Sequence, residues 1–291
     1  MRQVLVSAPL AMQACGMSEA GEVRAHNEDR FVVDDALGLV AVADGMGGHM
    51  SGEVASSGAL AALAGSLADS RAGNQDWPPA GDEAGDPDAT DLDLRWNGAV
   101  RLRRAVESAN ALLYEENRAR GHADGDGMGS TLTGLQFLPA LGAVLSFHVG
   151  DSRLYRYRDG VLVQLTRDQT AYQLALESGA PGELPPRNLL LQAIGPAPAV
   201  APDFDYHEVR AGDLLLLCSD GLHGWVPHAE IADLLRHEEQ LHAACAGLLA
   251  LSRRHASRDN VTVLLARFDE AGAHIDAKNI AARASSRPGL A

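Results

Sequence analysis

Lysine is almost absent from this 291-residue sequence: Lys278 is the only one, so nearly all positive charge is arginine. Lys and Arg together number 24 against 39 Asp and Glu, a formal net charge of −15. A surface this acidic argues against nucleic acid or an anionic membrane as the main partner. Cysteine is scarce as well. Cys15, Cys218 and Cys245 are odd in number, widely spaced and lack a Cys-x-x-Cys pair. That excludes a disulfide framework and a thiolate zinc site, and it favours a reducing, cytoplasmic setting. Cys218, inside an apolar run, reads as a buried inert thiol. No apolar run approaches the ~20 residues of a membrane span. Residues 1–14 faintly resemble a leader, but Pro9 and Gln13 interrupt a short apolar stretch, and the segment reads as a ragged extension into the first strand. No internal repeat is visible.

What is present is the composition of an ordinary soluble protein, 46% apolar and 22% charged, long enough to bury a sizeable core. Residues 31–33 and 39–42 read as a strand hairpin turned by Asp34, Asp35 and Gly38. A helix follows over 51–70. Residues 71–95, with Pro78-Pro79 and six Asp, read as an exposed acidic loop insertion. A long helix over 96–120 ends at Gly121. Strands are expected at 131–138, 143–149, 153–158, 161–165, 189–193, 204–209, 214–218 and 261–268, with helices at 170–178, 228–237 and 239–255. Residues 179–187 read as a loop, and 270–291 as a flexible tail after a single domain over 12–269. Hairpin-grouped strands with long helices between the groups suggest antiparallel sheets covered by helices.

Four aspartates share one local setting. Asp44, Asp151 and Asp220 each follow an apolar strand, and Asp259 precedes one. Gly45, Gly150 and Gly221 adjoin three of them, and glycine lets backbone approach an ion closely. A single Asp at a strand end is usually a turn residue or a helix cap. Four together, brought to one sheet edge, make a hard oxygen cluster suited to Mg²⁺ or Mn²⁺, and they would repel one another unless cations were bound. Arg24, just before Asn27-Glu28-Asp29, is alone a surface residue. Beside such a cluster its planar fork can hold a phosphate by two parallel hydrogen bonds.

With these residues in view, the sequence resembles the metal-dependent, type 2C Ser/Thr protein phosphatases, and among them the bacterial branch. The matching runs are Gly21-x-x-Arg24-x-x-Asn27-Glu28-Asp29, Asp44-Gly45-Met46-Gly47-Gly48-His49, Gly129-Ser130-Thr131, Val149-Gly150-Asp151-Ser152-Arg153, Leu165-Thr166-x-Asp168, Ser219-Asp220-Gly221-Leu222 and Arg258-Asp259-Asn260-Val261-Thr262. The resemblance implies an α+β fold, a four-layer α-β-β-α sandwich with metals in the cleft at one end. It implies Mn²⁺ or Mg²⁺, two ions in the core site and a third beside them. By matching position, Asp44 bridges the two core ions, the Gly45 carbonyl ligates one, and Asp220 and Asp259 ligate the first. Glu28 and Asp29 lie near the second through water, Asp151 with Asp220 matches the third-metal site, and Arg24 matches the phosphate-binding arginine. The implied reaction is in-line attack of a metal-bridging hydroxide on phosphoserine or phosphothreonine. The implied partners are phosphorylated proteins, a cognate Ser/Thr kinase and a phosphothreonine-binding protein, with the enzyme itself a monomer.

Two positions depart from the family pattern. Met46 stands where many eukaryotic members carry a histidine proposed as general acid, and Met cannot donate a proton. His49 is the remaining candidate donor, equally placed for a structural role. Gln169 follows Asp168 where a histidine is common. An inactive relative that kept only the fold would be expected to lose an aspartate or the arginine, and here Arg24, Asp44, Asp151, Asp220 and Asp259 are all present. A small phosphate ester as substrate is the other reading left open.

Overall fold

The computed structural model describes residues 9–47, 51–72, 90–179 and 182–271. In chain order these form β1 (Leu10–Glu19), β2 (Asp29–Asp34), β3 (Leu39–Met46), α1 (Ser51–Arg71), α2 (Asp91–Ala119), β4 (Gly129–Ser130), β5 (Leu132–Leu138), β6 (Ala143–Val149), β7 (Arg153–Arg158), β8 (Val161–Gln164), α3 (Ala171–Ser178), β9 (Asp203–Glu208), β10 (Leu214–Cys218), α4 (Asp220–His223), α5 (His228–His237), α6 (Leu241–Arg254) and β11 (Val261–Glu270). One sheet has the order β1-β11-β10-β7-β8. The other has β2-β3-β5-β6-β9, with the short β4 paired to β3, and neighbouring strands are antiparallel.

Side-chain alternation explains the layering. On β10, Leu215 and Leu217 enter an inter-sheet core with Val40, Val42, Leu135, Val144 and Leu264. Leu214, Leu216 and Cys218 face the other way, against Ile231, Leu235 and Leu248 of α5 and α6. Both faces of this strand are covered, so its sequence is an unbroken apolar run. On β3 the small residues Ala41 and Ala43 alternate outward with Leu39 against Ala55, Ala59 and Leu63 of α1 and Leu102 and Ala109 of α2. The result is helix, sheet, sheet, helix, as the family resemblance implied. Cys218 is fully buried, as expected.

Three expectations need correction. Residues 10–19 are a full strand paired along its length with β11, from Leu10 against Glu270 to Glu19 against Val261. Its small residues, Ala11, Ala14 and Gly16, hid it from a propensity reading. Helix α2 begins at Asp91 and not at 96. Residues 189–193 are not a strand. Leu189 and Leu191 are each 52% exposed, and only isolated bridges, Thr170 to Leu190 and Ser130 to Ile194, tie the segment down. His49, residues 73–89 of the acidic segment and residues 272–291 of the tail lie outside the described residues.

Candidate functional site

Strand β3 stays apolar through Ala43 and then delivers Asp44 at the edge of the sandwich. Strand β2 begins with Asp29 directly opposite, so the pairing register alone sets two carboxylates side by side. Like charges in that relation destabilise a sheet. Asp29 is fully buried. Its Oδ2 accepts from Ser219 Oγ at 2.7 Å, while its Oδ1 is buried without a hydrogen-bond partner. Ser219 immediately precedes Asp220, the first residue of α4, and Asp220 Oδ1 is likewise buried without a partner. Buried Asp151 follows β6 through Gly150. Gly150 sits at φ +106°, where a Cβ would also meet Thr131 Cγ2 at 2.7 Å, so this turn requires glycine. Asp259 arrives from the far end of the chain, just before β11.

These acids act on one another. Burial raises the pKa of Asp44 well above the ordinary carboxylate range, and Asp29, Asp220, Asp151 and Asp259 raise it further. Burial, then Asp151, Asp259 and Asp29, pushes Asp220 up to about 7. Burial is the main cause that takes Asp29 and Asp151 to about 6. Hard oxygen donors, mutual repulsion and two orphaned buried oxygens together fit a site for divalent cations. Among the described residues no three His, Cys, Asp or Glu already stand in metal-holding geometry.

The backbone around the cluster is tied down closely. Asp44 N donates to Thr131 Oγ1 at 2.9 Å, and Asp44 O accepts from Thr131 N at 2.8 Å and Ser130 Oγ at 3.1 Å. Asn260 accepts from Glu28 N at 2.8 Å and donates to the carbonyls of Ala20 and His26 at 3.0 and 2.9 Å. It thereby fixes the segment that carries Arg24 and Glu28. A Cβ on Gly45 would lie 2.0 Å from Gly52 O and 2.7 Å from Glu28 O, and one on Gly52 would lie 2.6 Å from Glu28 Cδ. The two glycines therefore let the start of α1 close over β3 with the Glu28 carboxylate between. Thr131, Ser219 and Asn260 received no role from sequence reasoning, although each adjoins or falls inside a matched motif.

Arg24 stands at the rim. Its side chain is 52% exposed, and Nη2 donates to Asp259 Oδ2 at 2.9 Å. Glu28 and Asp44 are close enough to reinforce its charge. Gln169, whose role the family pattern left open, is buried. Its Oε1 accepts from Gly150 N and its own N donates to Gly150 O, both at 2.8 Å. It props the turn before Asp151. Asp168 pairs with Arg153 through both oxygens, at 2.8 and 2.7 Å. Burial would raise Asp168, but the bonds and charge of Arg153 outweigh it and hold the group below its ordinary value. His223 Nε2 lies 3.0 Å from the Asp151 carbonyl. Burial, with Arg153 nearby, pushes that imidazole down to about 3, so it is neutral and donates.

Known proteins resemble this chain in sequence and fold. The family model for protein phosphatase 2C matches residues 20–266. The serine/threonine protein phosphatase PstP of Mycobacterium tuberculosis is 38% identical over 88% of this chain and 45% of its own length, so the chain spans less than half of that relative. The serine/threonine phosphatase stp of Listeria monocytogenes is 32% identical over 89% of this chain and 96% of its own. The solved catalytic domain of PstP, in complex with two manganese ions, superposes with a TM-score of 0.71 at 34% identity, covering 89% of this chain and 99% of that one.

Proposed function

The chain belongs to the protein phosphatase 2C family, and from that premise we propose that it removes phosphate from phosphoserine and phosphothreonine in proteins. In this reading it opposes a Ser/Thr kinase in the cytoplasm, with that kinase and a phosphothreonine-binding protein as its partners. The observation that carries it is the buried Asp44 carboxylate among Asp29, Asp151, Asp220 and Asp259, with Arg24 at the rim. The catalytic domain is residues 12–269, active as a monomer.

Asp44 and the Gly45 carbonyl, with Asp220 and Asp259, would hold two Mn²⁺ or Mg²⁺ ions, Glu28 and Asp29 would support them through water, and Asp151 with Asp220 would hold a third. The PstP domain carries two manganese ions, which supports Mn²⁺ here. When bound, the cations supply a water activated at neutral pH for in-line attack on phosphorus, together with positive charge for the phosphoryl oxygens. The protein's own residues do the rest. Arg24 offers its fork to the phosphate and is aimed by Asp259. Thr131 and Ser130 hold the Asp44 backbone so that its carboxylate does not have to reorganise. Met46 offers the leaving group no proton, which leaves His49 as the side-chain candidate for that step.

The test is Mn²⁺- or Mg²⁺-dependent release of phosphate from a phosphothreonine peptide, lost with chelator and in Asp44→Asn. Full activity in Asp44→Asn would overturn the reading.

A further inference from the structure

The acid cluster occupies one end of the sandwich, and the opposite end of strand β7, near β9, carries arginines. Strand β7 leaves the acid end at Arg153 and finishes at Arg158, roughly 17 Å away at ~3.3 Å per residue. Leu154 lies in the inter-sheet core while Tyr155 and Tyr157 pack toward the helices. Alternation therefore turns Arg156 and Arg158 inward. On β9, Phe204 and Tyr206 pack on the side of α2, so His207 faces inward, with its Nε2 3.2 Å from Ser146 Oγ. At this edge of the sandwich a cavity of about 330 Å³ opens, lined by Arg95, Arg156, Arg158, Tyr206, His207 and Glu208.

The cations in this cavity are not equally answered. Arg158 is held by Asp213, whose two oxygens accept from its Nε and Nη2. Arg95 rests over the Tyr206 ring, 5.4 Å from its centroid. Arg156 makes no ion pair among the described residues, and its Nε is buried without a hydrogen-bond partner. Burial holds His207 below its ordinary value, and the charge of Arg156 adds to that against the pull of Asp205. A buried, unpaired guanidinium N–H is costly. A free planar fork beside a second arginine has the chemistry of an oxyanion site.

We propose that this cavity is a second, non-catalytic anion site that takes a phosphate-class oxyanion, with Arg156 as the main ligand and Arg95 contributing charge. The choice of phosphate among oxyanions rests on the proposed phosphatase reading; the affinity for an anion does not. The ligand is either free inorganic phosphate or the phosphate of a phosphorylated protein segment.

Its test follows the His207 imidazole by NMR in the full chain, with chelator present so that a phosphopeptide stays intact. Inorganic phosphate and a phosphothreonine peptide are titrated separately. A saturable His207 shift with either probe is expected, weakened about tenfold or more in Arg156→Gln and less in Arg156→Lys, which keeps charge but loses the fork. Hydrolysis of p-nitrophenyl phosphate with Mn²⁺ should stay within about twofold in both variants, because the cavity is remote from the acid cluster. A shift with inorganic phosphate assigns the free anion, and a shift with the peptide alone assigns a substrate segment. No His207 shift with either probe, or an equal shift in Arg156→Gln, overturns the site. Because the readout is binding, absence of phosphopeptide hydrolysis would count against the catalytic reading and leave this one standing.

Discussion

Asp213 and Asp29 are both buried carboxylates at strand boundaries, at opposite ends of the sandwich. Asp213, 1% exposed, precedes β10, and Arg158 from the adjacent strand closes on it with two nitrogens while Arg210 N donates to it at 2.9 Å. Asp29 faces a second acid, Asp44, across the strand pair, and one of its oxygens has no partner. The same sandwich that supplies an arginine to one buried acid supplies none to the Asp29, Asp44 and Asp220 group. Arg24, at the rim, is half exposed and bound to Asp259. The difference teaches that the acid end is built for positive charge from outside the chain, whereas Asp213 at the other end is neutralised from within.

That contrast can be broken most sharply at Asp44. Asp44→Asn should lower phosphopeptide hydrolysis by about 10³-fold or more, the loss expected when metal charge is misplaced at a phosphoryl group. The same variant should melt higher than wild type in chelator, because it removes one of the repelling charges. Next comes pH. The folded-state pKa values of Asp29, Asp151 and Asp220 lie at about 6 to 7, above the ordinary carboxylate value. The metal-free native state therefore takes up protons before the unfolded chain does. Its stability should rise by a few kcal/mol as pH is lowered from about 8 to 5 and be lost as pH climbs through about 7. Melting curves in chelator and in saturating Mn²⁺ check the sign, and Mn²⁺ should reverse the trend. At the neutralised Arg158–Asp213 pair, Asp213→Ala should cost about 2 kcal/mol by urea unfolding, discounted for the partial exposure of Arg158, with kcat unchanged. The smallest effect belongs to Arg24→Ala. A drop of about tenfold in kcat/KM with unaltered Mn²⁺ affinity would mark it as a phosphate ligand and not part of the metal set.

Much of this contrast was legible before any coordinates. Asp44, Asp151 and Asp220 stand out because an apolar strand has no other reason to end on acid and glycine, and their convergence follows once those strands share a sandwich. Asp29 was harder. Its burial depends on the cross-strand register with Asp44, which a sequence states only after pairing is known. Ser219, Thr131 and Asn260 act through hydrogen bonds to distant backbone, so their roles needed tertiary contacts. Strand β1 was missed because its inter-sheet face, where a Cβ on Gly16 would lie 2.5 Å from Phe31 Cε2, favours the small residues Ala14 and Gly16 over strong strand formers. Residues 189–193 failed in the opposite way. Their leucines look like a buried strand, but no neighbouring strand covers them. The uncompensated Arg156 was invisible, since an arginine in a strand reads as solvent-facing until its alternation partners are placed.

Pairing β1 to β11 brings the two ends of the described chain together, with Ala271 N bonded to Pro9 O at 2.7 Å. Asp259, and Asn260 clamping the segment around Glu28, reach the site from 230 or more residues away along the chain. On the ribosome, a chain elongated through Asp220 already contains most of the acidic ligands, yet it lacks the strand that closes the sheet and the residues that position Arg24 and Glu28. Synthesis order thus leaves the acid cluster and its clamp incomplete until β11 emerges.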